Sequence, residues 1–227
     1  SHTVHLDSGT LSGLMTARSG IYRLFSVLYS QTDESAYAFL CSALPELKEF
    51  ADGIECRGLS AAVDETIALC GDAPDSLSRM NRAFTRLYLL GGNSIPMTGS
   101  EWLSPEKTQK SDPYFAVRAV YKSFSFKKPD SIKESDESVA AELLFMAASA
   151  AGLCEAAPEN AARLFAAHKD FLKEHIMRWV PAFCERSSAL ARECGLFLYG
   201  EIAEMLKMFL QFDEELLDNL FLSEEDL

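Results

Sequence analysis

Almost every apolar residue in this chain recurs at the helical period, and no segment alternates convincingly as a strand. Leu11, Leu14, Met15, Ile21, Leu24, Phe25 and Leu28 trace one face of a first long helix. Repeats of three and four residues place side chains on one helix face, whereas a half-buried strand needs a period of two. This pattern predicts an all-α chain, a single-domain helical bundle of roughly nine or ten helices.

Punctuation divides the pattern. A short helix is expected from about Glu34, entered through Thr32 or Asp33. Another runs from Ser60 to Cys70, with Gly71 where a left-handed C-terminal residue belongs. Asp75 opens a helix whose stripe is Leu77, Met80, Phe84, Leu87 and Tyr88, and Gly91-Gly92 stops it. Asp112-Pro113 starts the next, with Tyr114, Val117, Val120, Tyr121 and Phe124 inward. Val139, Leu143 and Met146 form the stripe of a further helix, capped by Ser135 or Asp136, with Asp136 and Glu137 complementing its dipole. Pro158 begins another, Pro181 kinks or divides the segment around Trp179, and a last long helix spans about Ser188 to Phe212. The acidic tail 213–227 keeps a Leu/Phe stripe, so docking and fraying both stay open.

One stretch breaks the pattern. GGNSIPMTGSEWLSPEKTQKSD, residues 91–112, has no period and is rich in Gly, Pro, Ser and Thr. Loops longer than about 12–15 residues are uncommon in compact domains and often functional. This one carries Ile95, Met97, Trp102 and Leu103, apolar area that a solvated linker does not need. The expectation is a loop that is mobile alone and orders around a ligand through Trp102; the alternative is a Trp102 already packed on the helices.

Charge and chemistry narrow the function. The formal net charge is -13, from 21 Lys and Arg against 34 Asp and Glu. Such a surface repels phosphate backbones, so no nucleic-acid partner is expected, and it attracts basic peptides. No apolar run approaches the ~20 residues of a membrane span. The N-terminal SHTVHLDSGT has neither a basic nor an apolar signal region, so no secretory signal is expected. Six cysteines lie at 41, 56, 70, 154, 184 and 194 without a C-x-x-C pair, as reduced thiols of a cytoplasmic protein do. The glycine-rich loop lacks the Lys-Ser/Thr of a phosphate loop, and G-x-S-x-G is absent. His168 and His175 sit seven apart, but metal ligands on a helix favour three or four, and surface or half-buried histidines are expected. Glu142, within an apolar stripe, is either a buried acid of raised pKa or a carboxylate satisfied by an arginine or a backbone amide. No cofactor, metal or catalytic residue is expected. What remains is an apolar groove rimmed by acids, suited to a ligand part basic and part apolar.

These residues together resemble a family. Phe84-Thr85-Arg86-Leu87-Tyr88 followed by Gly91-Gly92 and Pro96, then Ser100-Glu101-Trp102, then Val117 to Tyr121, then Glu134-Ser135-Asp136-Glu137-Ser138 before Glu142-Leu143-Leu144-Phe145-Met146, run in the order of the TorD/DmsD/NarJ group of redox-enzyme maturation chaperones. Phe171, His175, Trp179 and Phe183 fit the family's Phe…His…Trp…Phe helix. The resemblance covers about residues 10–212. Ser135, Glu137 and Ser138 stand where the family has Pro, Asp and His. It implies a non-enzymatic cytoplasmic chaperone, monomer or homodimer. Such a chaperone binds the N-terminal twin-arginine signal segment of a molybdopterin-containing oxidoreductase precursor until its cofactor is inserted. The implied peptide-binding residues are Phe84, Leu87, Tyr88, Pro96, Glu101, Trp102, Tyr121, Glu134, Asp136, Glu137 and Ser138. A NarJ-like factor for a non-exported subunit is the nearest alternative, and a small helical metal-binding enzyme using His168 and His175 the more distant one.

Overall fold

A computed structural model describes residues 8–30, 32–71 and 75–220. The N-terminal signal reading and the end of the acidic tail therefore lie outside the described residues. Among the described residues there are ten α-helices and no strand, as the helical period requires. They are α1 Ser8–Leu28, α2 Glu34–Gly53, α3 Arg57–Leu69, α4 Ser76–Phe84, α5 Gly99–Leu103, α6 Asp112–Ser123, α7 Val139–Glu155, α8 Pro158–Phe171, α9 Met177–Glu193 and α10 Phe197–Asn219. Wider π turns follow α4, over Thr85–Leu89, and α8, over Leu172–Ile176. No described helix is long and apolar enough to cross a membrane.

The chain forms two compact units. Unit 1 comprises Ser1–Ser26, Thr98–Trp179 and Gln211–Leu227; unit 2 comprises Val27–Met97 and Val180–Leu210. Each has its own core.

Unit 1 is built around a buried charge. Met15, Arg18, Tyr22 and Phe25 fall three or four apart on the buried face of α1, so a guanidinium sits in the middle of an apolar stripe. Its Nε and Nη2 donate to the two carboxylate oxygens of Asp213 on α10, at 2.6 and 2.7 Å. Tyr22 donates its hydroxyl to the same carboxylate. Nη2 also lies 2.9 Å from Nε2 of His168 on α8. Arginine has only donors, so that imidazole nitrogen accepts and the other, Nδ1, carries the proton. Nδ1 faces the Ser149 hydroxyl of α7 at 2.6 Å, and Ser149 in turn donates to the Met146 carbonyl. Burial, then the Arg18 charge, hold the His168 pKa well below its usual value, so the ring is neutral. His168 is thus a fully buried structural group, not the surface or half-buried histidine expected. His175 is half-buried against the Phe171 ring, 4.8 Å between centroids.

Unit 2 is an aromatic core. Tyr29, Phe84, Tyr88, Phe183 and Tyr199 meet with ring centroids 5.1–6.2 Å apart. Most of these pairs are edge-on or tilted, the favoured geometry for ring quadrupoles. The Tyr199 hydroxyl donates to the Leu28 carbonyl at 2.8 Å.

Several boundaries differ from the sequence reading. Asp33 is indeed the cap of α2, accepting from the Ala36 amide, but the helix is twenty residues long and runs through Pro45. Leu40, Leu44, Leu47 and Ala51 continue one buried stripe past the proline, and that burial offsets the missing hydrogen bond. Helix α3 begins at Arg57 rather than Ser60, and Gly71 is not left-handed. The single long final helix is really two, because Gly195 takes a φ of +70° between α9 and α10. Pro181 lies inside α9 without dividing it. Residues 213–219 continue α10, and Asp213 and Leu217 are fully buried.

Removing one side of the buried pair leaves the other charge uncompensated. Asp213→Ala is expected to lower stability by about 3–5 kcal/mol, measured by urea denaturation. A loss below about 1 kcal/mol would mean that Arg18 reaches solvent in solution.

Candidate functional site

The polar segment before α7 is where the sequence placed most of its candidates, and its geometry follows from one carboxylate. Glu137 is fully buried. Its Oε2 accepts the Ser100 amide at 2.8 Å and its Oε1 the Lys110 amide at 2.7 Å. Its backbone carbonyl accepts the Gly99 amide at 3.1 Å, and Thr98 and Ser138 form an isolated antiparallel bridge. These contacts hold residues 98–111 against residues 137–138. The Ser100 hydroxyl then accepts the Ser111 amide at 3.1 Å, closing the loop onto the start of α6. The stretch 91–112 is therefore not structureless. It contains α5, and Ile95, Met97, Thr98, Gly99, Ser100 and Ser104 are buried.

The cap of α7 is Ser138, whose hydroxyl accepts the Ala141 amide at 3.2 Å, not Ser135 or Asp136. Ser135 instead forms a turn, its carbonyl accepting the Ser138 amide and its hydroxyl the Glu137 amide. The turn delivers Glu137 toward the loop rather than toward the helix dipole. Asp136 is half-buried and pairs with Arg118 of α6 at 3.3 Å. The Tyr121 hydroxyl donates to the Asp136 carbonyl at 2.8 Å. Glu134 is half-buried, with Oε2 out of solvent and without a hydrogen bond. Glu101 and Trp102 are half-buried on α5, and Glu101 accepts from the Thr98 hydroxyl.

One turn into α7, Glu142 is fully buried. Its Oε1 takes a long 3.4 Å hydrogen bond from the Trp179 indole, and Oε2 has no partner. Burial pushes its pKa well above the usual carboxylate range; the indole bond opposes this and the Glu137 charge adds to it. Of the alternatives open from sequence, the raised-pKa acid is the one found. Gly99 closes this corner: a Cβ there would come within 3.3 Å of the indole nitrogen and 3.7 Å of Oε2.

The eleven candidates thus fall into two sets. Glu101, Trp102, Tyr121, Glu134, Asp136, Glu137 and Ser138 come together in unit 1. Phe84, Leu87, Tyr88 and Pro96 belong to unit 2. There Phe84, Leu87 and Tyr88 are core residues, and only Pro96 is half-exposed. Leu87 has a backbone role besides: the π turn leaves its carbonyl to accept the Ile95 amide at 2.8 Å, which fixes the start of the loop. Among the described residues, no group of three or more His, Cys, Asp or Glu side chains could hold a metal ion. Sequence reasoning missed the Arg118–Asp136 pair and the Gly99–Trp179–Glu142 corner. The former joins two segments with no shared periodicity, and the latter joins α5, α7 and α9.

Comparison with known proteins adds the family. The model described as nitrate reductase delta subunit matches residues 38–185, more than half of the chain. The chain belongs to this family. It is the TorD/NarJ family that the landmarks resemble, a family of maturation chaperones and not of enzymes. Among curated relatives are proteins named chaperone protein TorD from three strains of Vibrio cholerae serotype O1. In two of these, 24% of 204 residues are identical, covering 87% of this chain and 90% of the relative. The third matches at 24% over 205 residues, with the same coverage. TorD/NarJ family landmarks therefore lie in both units of this chain.

Two outcomes follow. Glu137→Gln is expected to cost about 1–3 kcal/mol, because a buried amide and a partly buried one lose a charged acceptor; amide exchange at Ser100 and Lys110 should quicken with it. Glu142 has the opposite sense. A folded-state pKa raised above the unfolded value of about 4.3 means that stability present below that pH is lost as pH rises through the folded pKa. Glu142→Gln removes this loss, so the gap in urea midpoint between variant and wild type should widen from pH 4 to 8. A gap constant across that range would show a carboxylate that titrates normally.

Proposed function

We propose that this chain is a cytoplasmic chaperone of molybdoenzyme maturation. In this reading it binds the N-terminal signal segment, of the twin-arginine type, of a molybdopterin-containing oxidoreductase precursor. It holds that precursor until the cofactor is inserted and export begins. The observation that carries this is the family match over residues 38–185, within relatives named as TorD chaperones along most of their length.

The unit 1 candidates suit the two halves of such a segment. Of the four candidate carboxylates in unit 1, Glu101 and Glu134 are the two bound neither to an arginine nor to backbone amides among the described residues, and the planar fork of an arginine matches a carboxylate. Asp136 is reached only by exchange with Arg118. That pair is half-exposed, and such pairs are worth about 0.2–1 kcal/mol, so a client arginine can replace it. Trp102 on α5 supplies aromatic area to the apolar stretch that follows the arginines. Glu137 and Ser138 position the segments and do not contact the client; Phe84, Leu87 and Tyr88 support the fold of unit 2.

A second reading has its own support. The matching model is described as nitrate reductase delta subunit, which favours an assembly factor acting on a non-exported subunit. Affinity purification that recovers a precursor lacking twin arginines would select it.

Titration calorimetry with a twin-arginine peptide separates the roles. Glu134→Gln and Glu101→Gln should each weaken binding a few-fold at low salt without lowering the melting temperature. Arg118→Ala should strengthen it, because the client no longer competes for Asp136. Unchanged affinity in all three variants sinks the proposed placement of the arginines.

A further inference from the structure

Residues 107–133 carry seven Lys and Arg against two Asp, a basic segment in a chain whose net charge is -13. The fold concentrates part of that charge in one groove of unit 1, about 470 Å³ in volume. One wall is a face of α6, where Phe115, Ala119 and Lys122 follow at four- and three-residue steps beside Arg118. The chain then reverses through Ser125, at φ +53°, and the Phe126 amide donates to the Tyr121 carbonyl at 2.9 Å. That reversal brings Phe126, Lys127 and Lys128 back as the other wall. Tyr121 and Phe126 meet edge-on at 4.9 Å between them.

The groove is uncompensated in both charge and apolar area. Asp136 is its one acid, and it is paired with Arg118. Lys128 donates to the Ile132 carbonyl. Lys122 and Lys127 are exposed and form no ion pair among the described residues. Phe115 is 61% exposed, at the rim. Isolated exposed aromatics are common; one set between unpaired lysines over an aromatic floor is not explained by solubility.

We propose that this groove docks an acidic, apolar-containing peptide segment of a protein partner, with Lys122 and Lys127 meeting its carboxylates and Phe115 an apolar side chain. The groove borders the proposed signal-segment site at Arg118, Tyr121 and Asp136, but the residues that would meet this partner, Phe115, Lys122 and Lys127, are not among the signal-segment candidates, and the partner carries the opposite charge. Charge complementarity selects it: the local cations attract a short acidic segment, while the net charge of the whole chain repels an extended polyanion such as nucleic acid or an anionic membrane. The volume suits a few side chains rather than a domain.

The test uses the full chain and a short fluorescent peptide in which Glu and Asp alternate with Leu and Phe, read by anisotropy at low salt. Controls are its Lys-for-Glu counterpart, a short single-stranded oligonucleotide and phosphatidylserine vesicles. The acidic peptide should bind saturably, and the Lys-for-Glu peptide should not. Lys122→Glu combined with Lys127→Glu should weaken binding by about tenfold or more. Phe115→Ser should weaken it several-fold at unchanged melting temperature. Twin-arginine peptide affinity should not fall in either variant, which keeps this outcome separate from that of the signal-segment reading. No saturable binding, or binding that the double variant leaves intact, overturns the proposal. So does tighter binding of the oligonucleotide or vesicles through the same lysines.

Discussion

The guanidinium of Arg18 is the charge around which unit 1 closes. Taking an ion of this kind out of water costs several kcal/mol even after relaxation, and the cost is recovered only when its donors are matched. Here Asp213 takes the fork, His168 takes a further N–H, and Met15 sulfur lies 3.1 Å from Nη1. Each partner comes from α1, α8 or α10, and Ser149 ties the imidazole to α7. The network therefore sets the register of four helices more sharply than apolar packing could, since sliding any of them strands a buried polar atom. Lysine could not substitute, because a single ammonium cannot present this fork.

The acids near α7 show why counting charges misjudges a site. Asp136, Glu137 and Glu142 look from the sequence like a negative mouth on an apolar helix. In the fold Glu137 is consumed by two amides, Asp136 by an arginine, and Glu142 is held toward its neutral form by burial. Glu101 and Glu134, which stood out less, are bound neither to an arginine nor to backbone amides among the described residues. Local potential is set by what each charge is already bonded to, and the mere density of Asp and Glu says little about it.

The helical period was legible throughout, and with it the fold class. Punctuation with a local mechanism also read correctly, such as Asp33 as a cap and Pro158 at a helix start. The errors share a cause. Pro45 and Pro181 break helices by local rules, yet tertiary burial carried both helices through. Gly195 ended a helix whose apolar stripe runs on past it. Ser135 and Asp136 are acceptable caps by local rules, yet Ser138 takes the cap once Glu137 is drawn to Ser100 and Lys110, a contact 27–37 residues away. Of the candidate residues, Glu101, Trp102, Tyr121, Glu134, Asp136, Glu137 and Ser138 lie together in unit 1. For Phe84 and Leu87 the sequence leaves groove and core both open, because the two demand the same residue types at the same spacing; the fold makes them, with Tyr88, core.

The division of the chain has a consequence for the ribosome. Unit 1 draws on the beginning, the middle and the end of the sequence. Arg18 emerges from the exit tunnel 195 residues before Asp213, its counterion. At usual elongation rates that is a wait of roughly 10–40 s, during which the guanidinium lacks its counterion and must stay hydrated. Unit 2, complete at Leu210, can consolidate slightly earlier. The buried charge of α1 is thus matched only once α10 has been made, so the polar centre of unit 1 is among the last parts to close.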